Sequence, residues 1–223
     1  MSLLDNAVWH ALTTRQQGFA EVTGAARRYH PDVSVFAAME EPDDDAWRDL
    51  AELVGPGGFA VLFRAELPRP PGGWTRAGRG VGHQMVLGEL ASVDAPDARR
   101  LGPDDAGEML ALVELTRPGP FCVRTLELGT YYGVFDGSAL VAMAGERLSL
   151  PGYTEISAVC THPDHRGRGL AAGLTALVAR GIEARGDPAF LHHAAENEPA
   201  RRIYESLGFE FRREVGFAAY GVA

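Results

Sequence analysis

The stretch that decides the fold runs from His162 to Ala171 and reads HPDHRGRGLA. Strand-like apolar residues precede it, and apolar residues recur at helical spacing after it as far as Ile182. A strand, an arginine- and glycine-containing turn and a helix favour anion binding, because the first N–H groups of a helix are unpaired and lie at the positive end of its dipole. Gly167 and Gly169 let a phosphate approach the backbone closely. The Lys-Ser/Thr of a Walker loop is missing, so we expect a pyrophosphate held without the apparatus of a nucleotide hydrolase.

The composition limits the classes of protein to consider. The 223 residues, 46% of them hydrophobic, suffice for one large or two small globular domains. A formal net charge of −9 argues against a general nucleic-acid binder. No apolar run is long enough to span a membrane and no signal peptide pattern opens the chain, so we expect a cytoplasmic protein. Cys122 and Cys160 form no spaced framework, and no His/Asp/Glu set has ligand spacing, so we expect no metal.

The first 95 residues alternate between helix-like and strand-like patterns. Ala20 to Tyr29 is a candidate helix, whereas Val33 to Met39 and Phe59 to Phe63 are candidate strands. Three aspartates before the next apolar run predict the start of a helix between those strands. The segment from Pro68 to Gly80 is dense in proline and glycine and predicts a loop.

The remaining residues carry clearer punctuation. A polar segment from Ala91 to Asp97 marks the expected boundary between two regions. Asp136-Gly137 lies between two apolar runs and predicts a hairpin. Glu155 to Thr161 predicts a strand that leads into the opening stretch, and Phe209 to Val222 is long enough for two final strands or a bent hairpin.

A second pattern follows at a fixed distance from the first. It consists of Asn197, Ala200, Tyr204, Gly208 and Phe209. These residues resemble the Asn-x-x-Ala-x-x-x-Tyr-x-x-x-Gly-Phe pattern of the GNAT acetyltransferase superfamily, and Arg166 to Ala171 resembles its Arg/Gln-x-x-Gly-x-Gly/Ala signature. The run from Leu191 to Asn197 looks weakly like the glycine N-acyltransferase-like branch.

The resemblance implies an α/β (α+β) fold with a mixed, mostly antiparallel twisted sheet flanked by helices. It covers residues 96–223, which we interpret as a GNAT acetyltransferase domain. Residues 1–95 match no family with confidence, and we interpret them as an N-terminal α/β region that is a degenerate half-copy of the same fold. The oligomeric state stays open, with a homodimer as one option.

The resemblance also implies a site for acetyl-CoA as co-substrate. Backbone amides of the opening stretch would hold the pyrophosphate, and the strand before it would pair with the pantetheine and polarise the acetyl carbonyl through a backbone N–H. The expected coenzyme contacts are Val159, Cys160, Thr161, Arg166, Gly167, Arg168, Gly169, Leu170, Ala171, Ala172 and Asn197.

Direct acyl transfer to an amine needs a base and an acid but no enzyme nucleophile. Glu155 stands eleven positions before Arg166, where some members of the family carry a carboxylate that acts directly or through water. A glutamate at a strand start is also often a solvated surface residue. His162 and His165 are weaker candidates in the turn, and His192 and His193 alternate across a strand, so that one faces each side.

We therefore predict an N-acetyltransferase that moves an acetyl group from acetyl-CoA to a primary amine of a small molecule or peptide. Tyr204 is the expected general acid and Glu155 or a water the expected base. Without the motif, an aromatic residue at this helical spacing would be read as core. The alternatives are a non-catalytic acyl-CoA-binding sensor or regulatory module and, less favoured, a nucleotide-binding protein. The amine itself is not identified, because acceptor pockets are built from variable loops.

Overall fold

The computed structural model describes residues 2–222, in which eleven strands form one sheet with helices packed around it. The strands in chain order are β1 (Ala20–Thr23), β2 (Ala26–Tyr29), β3 (Phe36–Met39), β4 (Phe59–Arg64), β5 (Trp74–Leu87), β6 (Arg99–Arg100), β7 (Tyr131–Asp136), β8 (Ala139–Leu150), β9 (Tyr153–Thr161), β10 (Ala189–Ala194) and β11 (Phe209–Val222). The α-helices are α1 (Ala7–Leu12), α2 (Asp44–Val54), α3 (Ala106–Thr116), α4 (Leu170–Glu183) and α5 (Glu198–Ser206). Single 3₁₀ turns occupy Leu3–Asn6, Gln17–Phe19, Pro103–Asp105, Thr125–Leu128 and Pro163–His165.

The strand order is mirrored about the centre of the sheet. It runs β1-β2-β3-β4-β11-β5-β10-β9-β8-β7-β6. Within residues 2–222 the pairs β3/β4 and β9/β10 are parallel and the other neighbouring pairs are antiparallel. The last strand, β11, lies between β4 and β5, and β5 pairs with β10. The predicted mixed, mostly antiparallel α/β fold is confirmed, whereas the half-copy interpretation stays a prediction that this mirrored order supports.

Elements with strong local signals form where they are predicted. Gly137 takes a φ of 61° in the turn that joins β7 to β8, a conformation that glycine adopts at little cost. The Asp43 side chain accepts a hydrogen bond of 2.8 Å from the Ala46 N–H and caps α2. The residues at the β7/β8 turn and at the start of α2 therefore suffice to set those two boundaries.

The helix predicted for Ala20 to Tyr29 is wrong. The segment forms the hairpin of β1 and β2, with Gly24 in the turn at a φ of 46°. Ala26 and Tyr29 are buried in the sheet, where β2 pairs with β3. Pairing with β3 therefore overrides a helical pattern that is short and interrupted by glycine.

The prediction for Pro68 to Gly80 is only partly right, because Trp74 already begins β5. Gly80 lies under the ring of Phe217 in the neighbouring β11, and a Cβ at Gly80 would come within 1.9 Å of that ring. The glycines that suggest a loop therefore allow close strand contact. Residues Phe209–Val222 form one long strand with two irregularities in register, rather than two strands or a hairpin.

The N-terminal segment packs against strands from both regions. One core cluster joins α1 to β2, β3, β4, β8, β10 and β11. Arg15 forms a bidentate ion pair with Asp187, and Arg212 Nη2 donates to Asp5 Oδ1 at 2.7 Å. Residues 2–95 and 96–222 thus share a core and a sheet in this structure.

Candidate active site

A cleft opens where the two parallel strands β9 and β10 separate. Their register runs from Ala189↔Thr154 to Leu191↔Ile156, and the strands do not pair beyond that point. The space between the diverging ends has a volume of about 800 Å³ and is also lined by the start of α4 and by α5. A separation at the carboxyl ends of parallel strands is a common place for a ligand.

A bulge in β9 forms one wall of the cleft. Met143 pairs with Cys160 and Gly145 pairs with Ser157, so three steps along β9 oppose two along β8. Ala158 in the bulge has a φ of 53°, which is unusual for a residue with a side chain. Ala158 and its successor line the cleft without a partner in the β8 ladder, so main-chain groups of β9 are left available to a ligand.

The loop from β9 to α4 forms the other end of the cleft. Gly167 and Gly169 have φ values of 76° and 75°, and Gly169 is the N-cap of α4 with no side-chain cap. By contrast, α2 is capped by Asp43 and α5 by Asn197. The unpaired N–H groups at the start of α4 therefore point to no side-chain acceptor and can receive an anion.

We predict that Gly169→Ala weakens the affinity for coenzyme A by about tenfold or more. Alanine at a positive φ costs about 1–2 kcal/mol, and its Cβ would stand on the backbone that a phosphate approaches, so both effects oppose binding. Calorimetric titration with coenzyme A measures the change.

Gly137→Ala is the matched control, since Gly137 also has a positive φ and open space around it but lies in the β7/β8 turn. Its free energy of unfolding should fall by an amount similar to that in Gly169→Ala, and its affinity for coenzyme A should stay unchanged. Equal loss of affinity in the two variants would contradict the assignment of the loop.

Tyr204 lies on α5 and lines the cleft opposite β9. The residue is 7% exposed, and its ring centroid lies 5.9 Å from that of His193. Burial raises the pKa of Tyr204 well above its usual value, so the hydroxyl keeps its proton at neutral pH. Asn197 also lines the cleft, and its Oδ1 accepts a hydrogen bond of 3.1 Å from Ala200 N–H, which fixes the start of α5.

Glu155 lies beneath the cleft rather than in its wall. It is 0% exposed, and its Oε2 and Oε1 accept hydrogen bonds of 2.8 and 2.6 Å from Nε and Nη2 of Arg147. Burial alone would raise the pKa of Glu155, but the Arg147 guanidinium and the His192 contact hold it at about 2. A fully buried carboxylate with so low a pKa is a poor direct base for an amine in the cleft.

The hydrogen bonds around His192 determine its tautomer. Nδ1 lies 2.7 Å from Glu155 Oε1, and Nε2 lies 2.9 Å from Gln84 Nε2. The Gln84 amide is oriented by Leu4 O, which accepts from its Nε2, and by Arg212, which donates to its Oε1. Burial lowers the pKa of His192, so the neutral ring donates from Nδ1 and its Nε2 lone pair is already occupied.

His193 lines the cleft and has one ring nitrogen without a hydrogen-bond partner within residues 2–222. Its Nδ1 donates to Ala194 O at 2.8 Å, and its buried Nε2 has no hydrogen-bond partner within residues 2–222. Burial lowers the pKa of His193, and His83 and Arg201 lower it further by repulsion. His193 therefore combines three properties of a base: neutrality, a defined tautomer and a lone pair that no other group of residues 2–222 occupies.

The structure brings together most of the predicted site residues but not all. Those that line the cleft are Val159, Cys160, Thr161, Arg166, Gly167, Gly169, Leu170, Ala171, Ala172, Asn197 and Tyr204. Arg168 is exposed, with Nη1 2.9 Å from His165 Nδ1, and Glu155 is covered by Arg147 and His192. Their predicted contacts with coenzyme remain predictions.

Two cleft residues had no prominent signal in the sequence. Arg147 follows Glu146 near the end of the otherwise apolar strand β8, and His193 is one of two adjacent histidines of equal standing. An arginine inside an apolar strand, eight positions before a glutamate in the next strand, is the pattern that could have indicated the buried pair.

Comparison with known proteins agrees with this geometry. Residues 131–218 match the family described as FR47-like protein. A protein from Novosphingobium aromaticivorans described as an acetyltransferase of the GNAT family is 38% identical, with a TM-score of 0.92 and coverage of 100% of both chains. A GCN5-related N-acetyltransferase from Kribbella flavida has a TM-score of 0.61 at 18% identity, covering 99% of this chain and 96% of that one, which shows the fold alone. A 65-residue segment, 29% of this chain, is 40% identical to mycothiol acetyltransferase of Corynebacterium aurimucosum and spans 21% of that enzyme.

The fold and the cleft define an acyltransferase. The chain belongs to the GNAT family of acetyltransferases, since its similarity to the Novosphingobium protein extends over the full length of both. The predicted family, fold and enzyme class are confirmed. Between residues 2 and 222, no helix has the length and apolarity needed to cross a bilayer. In the same part of the chain, no three His, Cys, Asp or Glu side chains form a candidate metal group.

Proposed function

We propose that the protein is an N-acetyltransferase that moves an acetyl group from acetyl-CoA directly to a primary amine of a small molecule or peptide. The observation that carries the proposal is the layout of one cleft, with an uncapped helix N-terminus at one end and the Tyr204 phenol on its wall. These two features fit the pyrophosphate and the thiolate of one coenzyme molecule. The matched segment of mycothiol acetyltransferase supports acetyl transfer but is too short to identify the acceptor.

The reaction needs two bond changes at the thioester carbon and the transfer of protons at nitrogen and sulfur. The amine nitrogen attacks the carbonyl carbon, the C–S bond breaks, and one N–H proton leaves the amine while the thiolate gains a proton. The expected polarisation of the carbonyl by a β9 backbone N–H fits the unpaired main chain of the bulge. Tyr204 then supplies the proton to the thiolate, and the products are an amide and free coenzyme A.

The neighbouring His193 completes the proton balance. Its Nε2 accepts the amine proton, directly or through a water, and returns a proton to the Tyr204 phenolate, whose ring centroid is 5.9 Å away. The net reaction then neither consumes nor releases a proton at the protein. Glu155 acts in this scheme as a positioning residue, because it orients His192 and Arg147 from below the cleft.

The pH profile should show the titration of His193. The pKa of His193 lies below the ordinary 6.5, and a base must be neutral. The value of kcat/KM should therefore fall as the pH is lowered through the pKa of His193. His193→Gln should remove this acidic limb and lower kcat/KM by about 100-fold. His30→Gln, an exposed histidine outside the cleft, is the matched control. An unchanged acidic limb in His193→Gln would assign the base to water alone.

A thiol-release assay with acetyl-CoA and a panel of amines tests the proposed activity. The chain contains no lysine, so no side-chain amine of the protein itself competes as acceptor. We expect amine-dependent release of coenzyme A and a mass increase of one acetyl group in one class of acceptor. Tight binding of acetyl-CoA without turnover of any amine would instead favour a non-catalytic acyl-CoA sensor.

A further inference from the structure

Arg147 is a rigidly held guanidinium at the base of the cleft. It is 8% exposed, and two of its three nitrogens donate to Glu155. Its Cζ lies 5.0 Å from the ring centroid of Phe36 and 6.0 Å from that of Phe63. A guanidinium fixed by a bidentate pair and by aromatic rings loses little conformational freedom when it binds a further group.

The third nitrogen, Nη1, has no assigned acceptor. It donates to none of residues 2–222, and it is not among their solvent-inaccessible unpaired atoms. Because Arg147 lines the cleft, the accessible part of its side chain opens there. Water in the open cleft can accept from this N–H group, and a ligand acceptor would take the place of that water.

The position of Arg147 separates it from the coenzyme phosphates. Its neighbours in the cleft wall include Ile156 and His192, where β9 and β10 begin to diverge, whereas the glycine loop follows Thr161. The five residue steps of β9 from Ile156 to Thr161 would span roughly 17 Å if fully extended, and the bulge at Ala158 shortens that distance. The bulge at Ala158, where the thioester is expected, lies between these ends, so Arg147 faces the substrate side of the reaction.

We propose that Arg147 recognises a carboxylate on the substrate side of the thioester. The proposal rests on the proposed acetyl-transfer function and names the substrate class it favours. Carboxylates and phosphates are the acceptors that a guanidinium binds strongly, since charge-assisted hydrogen bonds are about twice as strong as neutral ones, and the expected phosphate site lies at the other end of the cleft. Either the amine, as in an amino acid, or the acyl chain, as in a dicarboxylic monothioester, carries that group.

Two arms of one experiment distinguish the sources. The first compares alanine with alaninamide as acceptors of acetyl-CoA, and the second compares succinyl-CoA with butyryl-CoA at a fixed amine. The variant is Arg147→Gln/Glu155→Gln, which removes both charges of the buried pair together. Arg185→Gln is the matched control, because Arg185 also forms an ion pair, with Glu146, and does not line the cleft.

The preference for the carboxylate partner should fall by about tenfold or more in the double variant, in one arm only, and should persist in Arg185→Gln. The arm that changes identifies the source. A wild-type protein without preference for either carboxylate, or a preference unchanged by loss of Arg147, would overturn the inference.

Binding without turnover separates this inference from the proposed function. Calorimetry compares the affinities of N-acetylalanine and N-acetylalaninamide for the wild-type complex with coenzyme A. It also compares the affinities of succinyl-CoA and butyryl-CoA for the free protein. Arg147-dependent carboxylate binding without transfer to any amine would reject the proposed function and support the inference. Amine acetylation with equal binding of the charged and neutral probes would do the reverse, and these wild-type measurements decide even where the double variant does not fold.

Discussion

Tyr204→Phe is expected to lower kcat about 100-fold or more while the dissociation constant for coenzyme A changes less than about twofold. The phenol is protonated at neutral pH because burial raises its pKa, and general acids contribute about 10²–10⁴ in rate. Phenylalanine keeps the ring contacts with His193 and Phe209, so the packing of α5 on the sheet should survive. Stopped-flow or steady-state thiol release, with calorimetry for binding, measures the two quantities.

Tyr132→Phe is the control for the loss of a phenol elsewhere, since Tyr132 lies on β7 outside the cleft. It should leave both kcat and coenzyme affinity near the wild-type values. The leaving group provides a second check: an acyl thioester with a less basic thiol needs less protonation, so it should recover part of the Tyr204→Phe loss. A uniform loss with every thioester would assign Tyr204 to positioning instead of acid catalysis.

The parts of the site that depend on local backbone geometry could be predicted from the sequence. Gly167 and Gly169 adopt positive φ values, and the uncapped start of α4 follows them directly. Asn197 caps the short helix that carries Tyr204, so their spacing in the sequence fixes their relation in space. Such features need no knowledge of which strands pair.

The buried charges could not be predicted in the same way. Arg147 and Glu155 meet through the pairing of β8 with β9, and His192 meets Glu155 through the pairing of β9 with β10. The β8/β9 register contains two irregularities, and a slip of one residue would turn a side chain to the other face. A glutamate assigned from the motif as a base is therefore found as the centre of an ion pair.

The two halves of the sheet differ in how well the connections that lead into their helices suit an anion. The connection from β3 to α2 occupies the position that corresponds to the loop from β9 to α4. It contains acidic residues where the other carries arginine and glycine, and Asp43 already caps α2. Carboxylates repel a phosphate, so of these two connections only the β9–α4 loop favours pyrophosphate.

Glu155→Ala is expected to lower the free energy of unfolding by about 3–5 kcal/mol. The substitution leaves the largely buried Arg147 without its carboxylate, and an uncompensated buried charge is strongly destabilising. Arg147→Gln/Glu155→Gln removes both charges and should be more stable than the single variant, because no buried charge remains unpaired. Urea unfolding at pH 7 measures both, and equal stability of the two variants would contradict the ion-pair account.

The pH dependence of stability provides an independent test of the same pair. The folded-state pKa of Glu155 is about 2 against an ordinary 4.5, so the folded protein binds fewer protons at this group than the unfolded chain between those values. Its contribution is therefore complete above about pH 4.5 and is lost as the pH falls towards 2. Wild-type stability should drop more steeply across this window than that of Arg147→Gln/Glu155→Gln, which lacks the carboxylate. Parallel pH profiles of unfolding free energy would show that Glu155 is not held ionised by Arg147, and the cleft would then have a carboxylate able to take a proton.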